Sequence, residues 1–340
     1  MNKKHIIFFV LIVHILFIVL GCGSIEENDD QREIAPDTAI TIEDPELDYA
    51  IRDALGLNAT QIITKKRALS LTFLNASYIQ IRTLQGIEYF TNLTELILND
   101  NEIRDIEPLE SLHKLKELHL SNNSLYDIRP LESLITLDKL YCDDNNIIDL
   151  NPLAQITGLT WLDLSYNNIV NIDPLEGLTN VSWVVLDDND ISDVTALAHL
   201  TNLVRLELSY NNISDINPLV NLKNLTWLDL SNNIILDIGP LAALTQLRRL
   251  DLDANYLNDI SPLAYLNNLV VLNLRMNEIS DISPLAHLTH LLGLDLSYNF
   301  IHNVSPLSNH KNLIELCLMN NNIEDTSPLD SLTCSIVCQD

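Results

Sequence analysis

Five residues with aromatic or cationic side chains recur at intervals of 22 along the middle of the chain: Trp161, Trp183, Arg205, Trp227 and Arg249. The three tryptophans among them are the only ones in the sequence. Tryptophan and arginine offer a large rigid surface with a polar group, and they are enriched at the centres of protein interfaces. A constant spacing therefore predicts noncovalent recognition of a protein ligand, provided that the fold brings these residues onto one face.

A second set of residues lies two positions after the first set and carries mostly carboxylates. Together the two sets form the predicted partner-binding surface, which consists of Tyr141, Trp161, Asp163, Trp183, Val185, Arg205, Glu207, Trp227, Asp229, Arg249 and Asp251. Because these residues are expected to face outward from the core, we expect the tryptophan rings to be exposed to solvent, and exposed apolar patches usually have a partner. The alternative is that large outward side chains only cover the sheet by stacking along a column.

Other groups of polar residues give little indication of metal binding or catalysis. The stretches Asp143–Asn146 and Asp187–Asp190 carry calcium-type oxygen ligands, but Ca²⁺ needs a loop that wraps the ion, and solvated turns are the preferred interpretation. His287 and His290 lack a cluster of further ligands nearby in the sequence. We therefore predict no metal site, no cofactor and no enzymatic activity.

The element that must position these residues is a repeat of 22 residues. Eleven full units begin at Leu93, Leu115, Leu137, Leu159, Val181, Leu203, Leu225, Leu247, Leu269, Leu291 and Leu313, and a degenerate unit begins at Leu71. The consensus LxxLxLxxNxIxDIxPLxxLxx is that of a leucine-rich repeat. Alternation predicts a strand in which positions four and six point inward and positions three, five and seven point outward.

Each unit can bury its leucines only against its neighbours, which predicts a right-handed α/β solenoid with a parallel β-sheet on its concave face. Position nine is asparagine in every full unit, from Asn101 to Asn321, and is expected to bond backbone groups of adjacent turns. The acid or amide at position thirteen is expected to cap the return turn, and proline at position sixteen fixes its backbone.

A small helical cap is predicted before the repeats, over residues 41–70. Asp44 can cap a helix, Pro45 suits its first position and Gly56 its end, and a second short turn is expected over Thr64–Leu69. The cap would cover the first edge of the sheet.

The N-terminus predicts export. Lys3 and Lys4 precede an apolar run, which is typical of a signal peptide over residues 1–21, and a transmembrane anchor is the alternative. The residues Val19–Cys22 resemble the lipobox of bacterial lipoproteins, which implies lipidation of Cys22 and a membrane anchor. Residues 22–40 are acidic and polar and are interpreted as a flexible tether. The net charge of −28 disfavours binding to nucleic acid.

Four cysteines follow Cys22 in the chain. Cys142 takes an inward position and is interpreted as a buried thiol, whereas Cys317 faces outward. Cys334 and Cys338 could form a disulfide bond in an exported protein, with Cys317 as an alternative partner. The solenoid is expected over residues 71–334 and the C-terminal end over residues 335–340.

The repeat length, the return segment DIxPLxxLTN and the cap stretch AIRDALGL at Ala50–Leu57 resemble the internalin group of bacterial leucine-rich-repeat proteins. The resemblance covers residues 41 to about 333. It implies a surface or secreted protein that binds a protein partner through the concave face, and it transfers no partner-contact residues. Two functions are considered: a membrane-anchored binding module for adhesion or host interaction, at the cell surface or outer membrane, and a structural scaffold among cell-envelope proteins.

Overall fold

Each repeat contributes one short strand to a single parallel sheet. The computed structural model describes residues 37–332 and 335–336 of the chain. The predicted signal peptide, the lipidation site Cys22, the tether up to residue 36, and Cys334 and Cys338 lie outside the described residues. The described residues from Thr38 onward pack as one unit.

The sheet has thirteen strands that follow each other in sequence order, from β1 to β13. Their bounds are Phe73–Asn75, Glu95–Ile97, Glu117–His119, Lys139–Tyr141, Trp161–Asp163, Trp183–Val185, Arg205–Glu207, Trp227–Asp229, Arg249–Asp251, Val271–Asn273, Gly293–Asp295, Glu315–Cys317 and Ser335–Ile336. All pairs are parallel, and up to β12 each residue pairs with the residue at the same position of the next unit, as Trp161 does with Trp183. The predicted α/β solenoid, with a parallel sheet on the concave face and a helical cap, is confirmed.

The return segments are short 3-10 turns, and the α-helices of the described residues are confined to the cap. The turns span Ile87–Tyr89, Glu107–Ser111, Arg129–Ser133, Asn151–Leu153, Asp173–Leu175, Thr195–His199, Asn217–Asn221, Gly239–Ala243, Ser261–Tyr265, Ser283–His287, Ser305–Leu307 and Ser327–Leu329. The side chain at position thirteen caps each turn as expected; Asp215, for example, accepts a hydrogen bond from the amide of Asn217 at 2.8 Å. None of the helices in the described part of the chain is long and apolar enough to cross a bilayer.

Alternation along the strands is confirmed at positions three to six, but at position seven it fails in the four units that have a buried serine there. Leu162 is fully buried while its neighbours Trp161 and Asp163 are partly exposed. At position seven, however, Ser165 and Ser297 are only 6% and 2% exposed. The expectation that position seven points outward is wrong for these serines, because the strand ends at position five and the chain then bends towards position eight.

Position eight adopts the left-handed conformation in every full unit, with φ between +51° and +59°. Asparagine and aspartate tolerate this region best, and they occupy it in units such as those of Asn122 and Asp144. Tyr166, Tyr210 and Tyr298 adopt it as well. The tight turn at the end of each strand is therefore set by the repeat as a whole rather than by the residue type at this position.

The asparagines at position nine form a continuous network that we call the asparagine ladder. The side-chain amide of Asn211 donates to the carbonyl oxygens of Leu208 and Ser209 in its own unit and of Leu186 in the preceding unit, at 3.2, 3.1 and 2.9 Å. Its carbonyl oxygen accepts a hydrogen bond from the amide of Ile191 at 2.9 Å. Each asparagine thus satisfies backbone groups of two units, as predicted.

The N-terminal cap consists of α1, Pro45–Ala54, and α2, Lys65–Ala68. Asp44 accepts hydrogen bonds from two amides at the start of α1, and its second oxygen accepts one from the amide of Arg82 in the degenerate unit at 2.8 Å. Gly86 has φ +104°, and a Cβ there would lie 2.5 Å from the carbonyl oxygen of Thr41. The absence of a side chain at Gly86 therefore allows the segment before α1 to pack against the repeats.

Two departures from the repeat occur in the core. His310 is completely buried at position twenty, which is a leucine or isoleucine in the other units from Leu112 to Leu332. Cys142 is a buried free thiol, as expected, and burial raises its pKa. Cys317 is disulfide-bonded. Cys334 and Cys338 lie outside the described residues, so their predicted pairing, with Cys317 as the alternative partner, stays a prediction.

Candidate functional site

The candidate site lies on the outward face of strands β3 to β9. Register alone brings position three of consecutive units side by side, because Trp161, Trp183, Arg205, Trp227 and Arg249 pair directly along the sheet. Position five forms a parallel row two residues further along each strand. The residues predicted to bind a partner are therefore adjacent on one surface.

The aromatic side chains of this surface stack on one another across unit boundaries. Trp161 and Trp183 have ring centroids 3.7 Å apart, with their planes inclined by 33°. Tyr141 lies 5.7 Å from Trp161, and His119 stacks nearly parallel on Tyr141 at 4.2 Å. The stack thus uses position five in the units of His119 and Tyr141. It uses position three in the next two units, those of Trp161 and Trp183.

Arginines continue the stack towards the C-terminus. The guanidinium carbon of Arg205 lies 4.2 Å from the ring centroid of Trp183 and 3.7 Å from that of Trp227. Arg249 covers the other side of Trp227 at 4.4 Å. Cation–π contacts of this kind are worth up to about 2 kcal/mol where water is excluded. We call the seven residues from His119 to Arg249 the stacked column; its members are His119, Tyr141, Trp161, Trp183, Arg205, Trp227 and Arg249.

The tryptophans are half-buried rather than solvent-exposed, which corrects the expectation of freely exposed rings. Their indole nitrogens are inaccessible to solvent and have no hydrogen-bond partner in the described part of the chain. The cause is the stacking itself, because each ring is covered by the side chain of the next unit. The alternative interpretation, that these residues cover the sheet by stacking, agrees with this packing.

The carboxylates beside the stacked column are held by the turns that follow the strands. Asp163 and Asp229 each accept hydrogen bonds from the amide and hydroxyl of the serine two residues later. Burial raises the pKa of Asp163, with further contributions from Asp143 and Glu207. Burial likewise raises the pKa of Asp229, and the charges of Asp251 and Glu207 add to the shift.

The largest shift among these acids is at Asp187, in position seven. Burial raises its pKa to about 7, opposed by a hydrogen bond from Ser209 and assisted by the charges of Glu207 and Asp229. Burial also raises the pKa of Asp251 and of Asp253. We call Asp163, Asp187, Glu207, Asp229, Asp251 and Asp253 the carboxylate group. Their mutual repulsion shows that negative charge is concentrated next to the stacked column.

Among the residues that the structure describes, few cations balance the carboxylate group. The charge of Arg249 opposes the rise in the pKa of Asp251 without forming an ion pair with it. Arg205 forms an ion pair with Glu207, and Arg275 lies 3.5 Å from Asp253. Val185 interrupts the row at position five with an apolar side chain that is partly exposed.

Sequence reasoning missed three residues of this surface. His119 begins the stacked column, and its position five, one unit before Tyr141, was the available signal. Asp187 and Asp253 lie at position seven, whose side chains were expected to point outward without a specific role.

The weaker candidate sites are not assembled into clusters. The third residues of the two acidic stretches, Asn145 and Asn189, belong to the asparagine ladder. Within residues 37–332 and 335–336, no group of three or more histidine, cysteine or acidic side chains is placed to hold a metal ion. His287 and His290 are exposed on the return side.

Family models of leucine-rich repeats match much of the solenoid. A model described as two copies of the repeat matches residues 113–155, 223–265 and 267–309. Two further models of the leucine-rich repeat match residues 192–235 and 158–178. A comparison with curated proteins found no match.

Several solved structures are similar to this chain. An internalin, inlF, from Listeria monocytogenes is 33% identical, with a TM-score of 0.79, and the match covers 88% of this chain and 96% of that one. Internalin C2 from the same species is 38% identical, with a TM-score of 0.60 over 62% of this chain and 94% of its own. The plant peptide hormone receptor RGFR1, solved in complex with RGF2, shares the fold at 23% identity and a TM-score of 0.66, over 76% of this chain and 46% of its own.

Proposed function

The chain belongs to the internalin-type leucine-rich-repeat proteins, and from this premise we propose that it is a membrane-anchored extracytoplasmic module that binds a protein partner on the concave face of its solenoid. The role that we propose is adhesion or interaction with a host. A solenoid of this class is a protein-interaction scaffold, since its stacked units present one continuous extended surface.

The observation that carries the proposal is the stacked column beside the carboxylate group. Its seven members lie on seven consecutive strands, which at about 4.8 Å per strand extend over roughly 29 Å, and its tryptophans and arginines lie on the last five of these strands. That length suits an interface of ordinary size. The rings are already fixed by their neighbours, so a partner loses little side-chain entropy by contacting them.

The test of partner binding is the substitution Trp183→Ala in a capture experiment. Proteins retained by the unmodified chain from extracts of neighbouring or host cells would be compared with those retained by the variant. Because Trp183 contacts both Trp161 and Arg205, its loss also loosens the column, and we expect affinity for the captured partner to fall by about 2 kcal/mol or more. Isothermal titration with the identified partner measures the change.

A matched pair of variants separates this effect from a change in folding. Arg249 and Arg248 are adjacent and both exposed, but Arg249 ends the stacked column whereas Arg248 lies at position two, outside it. Arg249→Ala should weaken binding, and Arg248→Ala should leave it unchanged. Full-strength binding by both Trp183→Ala and Arg249→Ala would place the partner site elsewhere on the solenoid and would favour a scaffold function among envelope proteins.

We also propose that Cys22 carries the membrane anchor. The support is the sequence Val19–Cys22 after an apolar run, which resembles a lipoprotein processing site. A single lipidated cysteine followed by a polar stretch would hold the binding domain at a distance from the membrane.

The substitution Cys22→Ser tests the anchor. Cells grown with a labelled fatty acid should incorporate label into the unmodified chain and none into the Cys22→Ser variant. The variant should leave the membrane fraction or remain unprocessed. Label that persists in the variant would show that the lipid, if any, is attached elsewhere.

A further inference from the structure

We propose that the partner presents a basic, extended segment whose lysine or arginine side chains lie along the carboxylate group, beside the stacked column. This inference rests on the proposed function and specifies the chemistry of the partner. It follows from charge, from the local packing of Arg205 and from the spacing of the strands.

The charge argument starts from an imbalance on this face. Of the six members of the carboxylate group, only Glu207 and Asp253 have an ion-pair partner within the described part of the chain. Asp163, Asp187, Asp229 and Asp251 are held by hydrogen bonds from serine, aspartate and asparagine groups instead. A cationic partner would complement these four acids, whereas an acidic partner would be repelled.

Because these acids are partly buried, their unpaired negative charges raise the free energy of the unbound protein. The pKa of Asp187 is raised to about 7 because its charge is desolvated and lies near Glu207 and Asp229. A cation supplied by a partner would favour the ionised form of these acids and remove part of this unfavourable energy. Partly desolvated ion pairs are also screened less by salt than exposed ones.

Arg205 shows how this surface accommodates a cation. Its guanidinium lies between the rings of Trp183 and Trp227, and it donates from Nε to a carboxylate oxygen of Glu207. The faces of these two rings are occupied by the column itself. The cations of a partner would therefore bind the carboxylates and rest their methylene groups against the ring edges.

The spacing of the acids suits an extended segment that crosses the strands. Glu207, Asp229 and Asp251 are direct neighbours at position five of β7, β8 and β9. Alternate strands are about 9.6 Å apart. A polyproline-type segment places every third side chain on one side at intervals of about 9.3 Å. Basic residues three apart in such a segment would therefore follow position five of alternate strands. Two of them six residues apart, at about 18.6 Å, would meet Asp163 and Asp251, which lie four strands or about 19.2 Å apart and have no ion-pair partner among the described residues.

The test uses fluorescent twelve-residue peptides with arginine at every third position in a proline background. Peptides with glutamine or glutamate in place of arginine are the matched probes. The full chain should bind the arginine peptide at least tenfold more tightly than the glutamine peptide, with affinity that falls as salt is raised, and should not bind the glutamate peptide. Fluorescence anisotropy measures each affinity.

Two triple variants with the same charge change locate the effect. The first combines Asp163→Asn, Asp229→Asn and Asp251→Asn, in which asparagine keeps an acceptor oxygen for the turn amides. The second replaces exposed acids on the return side or loops, by Glu132→Gln, Glu176→Gln and Glu278→Gln. We expect the first to weaken binding of the arginine peptide tenfold or more and the second to change it less than twofold.

The outcomes separate this inference from the proposed function. Equal losses in both triple variants, or no preference for arginine over glutamine, would overturn the basic segment and attribute binding to net charge. If a captured partner still depends on Trp183 in that case, the concave face remains the binding site and only its proposed charge preference fails. A captured partner whose affinity is unchanged by Trp183→Ala and by Arg249→Ala would count against the proposed function itself.

Discussion

Replacing Asn211 with leucine is expected to lower the free energy of unfolding by about 3 kcal/mol or more. The side chain satisfies three carbonyl oxygens and one amide in two neighbouring units, and leucine can satisfy none of them. Each buried backbone group left without a partner costs about 1–3 kcal/mol. Because the bonds of Asn211 join its unit to the preceding one, the loss falls on the coupling between units. Urea unfolding followed by circular dichroism measures it.

The adjacent asparagine provides the control for this substitution. Asn212 lies at position ten and is exposed, so Asn212→Leu makes the same chemical change outside the asparagine ladder. It should shift the unfolding free energy by no more than about 0.5 kcal/mol. Similar midpoints for Asn211→Leu and the unmodified protein would show that the ladder does not contribute to stability.

Replacing His310 with leucine is expected to stabilise the protein, and most strongly at acidic pH. His310 is fully buried, and neither ring nitrogen has a hydrogen-bond partner among the residues described. Burial lowers the pKa of its imidazole below the usual 6.5, and the nearby carbonyl groups of Leu307 and Leu285 offset only part of this effect. The unfolded chain therefore binds more protons than the folded one below about pH 6.5, so stability falls as the pH is lowered through that range.

Leucine restores the residue type that other units have at position twenty and removes the titrating group. We expect His310→Leu to gain about 1–3 kcal/mol at about pH 5, with a smaller gain at about pH 8. Thermal unfolding across this pH range measures both values. The exposed His287 supplies the control, since His287→Leu replaces a histidine outside the core and should not reproduce the gain. A profile equally steep in His310→Leu would assign the acid sensitivity to other groups.

The fold could be predicted from sequence because its determinants repeat. An apolar residue, mostly leucine, at positions four and six, asparagine at nine and an acid or amide at thirteen each perform one task in every full unit, and the structure confirms these tasks. The buried serines at position seven were missed, since alternation was extended two residues past the end of the strand. The conformation at position eight is set by the repeat geometry, which residue types as different as Asn122 and Tyr210 do not reveal.

The sequence predicts which side chains of the site are neighbours on the sheet, but it does not predict how they contact one another. Register fixes which side chains are neighbours, so Trp183, Arg205 and Trp227 could be placed next to one another from spacing alone. Spacing does not fix how far a side chain tilts along the sheet. The tilt decides that Arg205 lies flat between two indoles and that the rings become half-buried. The raised pKa of Asp187 depends on burial in this packing, so it could not be predicted from the sequence either.

The uniform register of the sheet has a consequence for how the chain folds. From β1 to β12 every strand pairing joins residues 22 apart, as Leu206 with Leu228, however long the sheet becomes. These pairings span 22 of 340 residues, a relative separation of about 0.06, which is close to the contact order of helical bundles and well below that of β-proteins. Closing each loop costs the entropy of one short segment, and adding a unit lengthens no loop. Folding can thus start in one region and spread along the chain, and units can be gained or lost without slowing it.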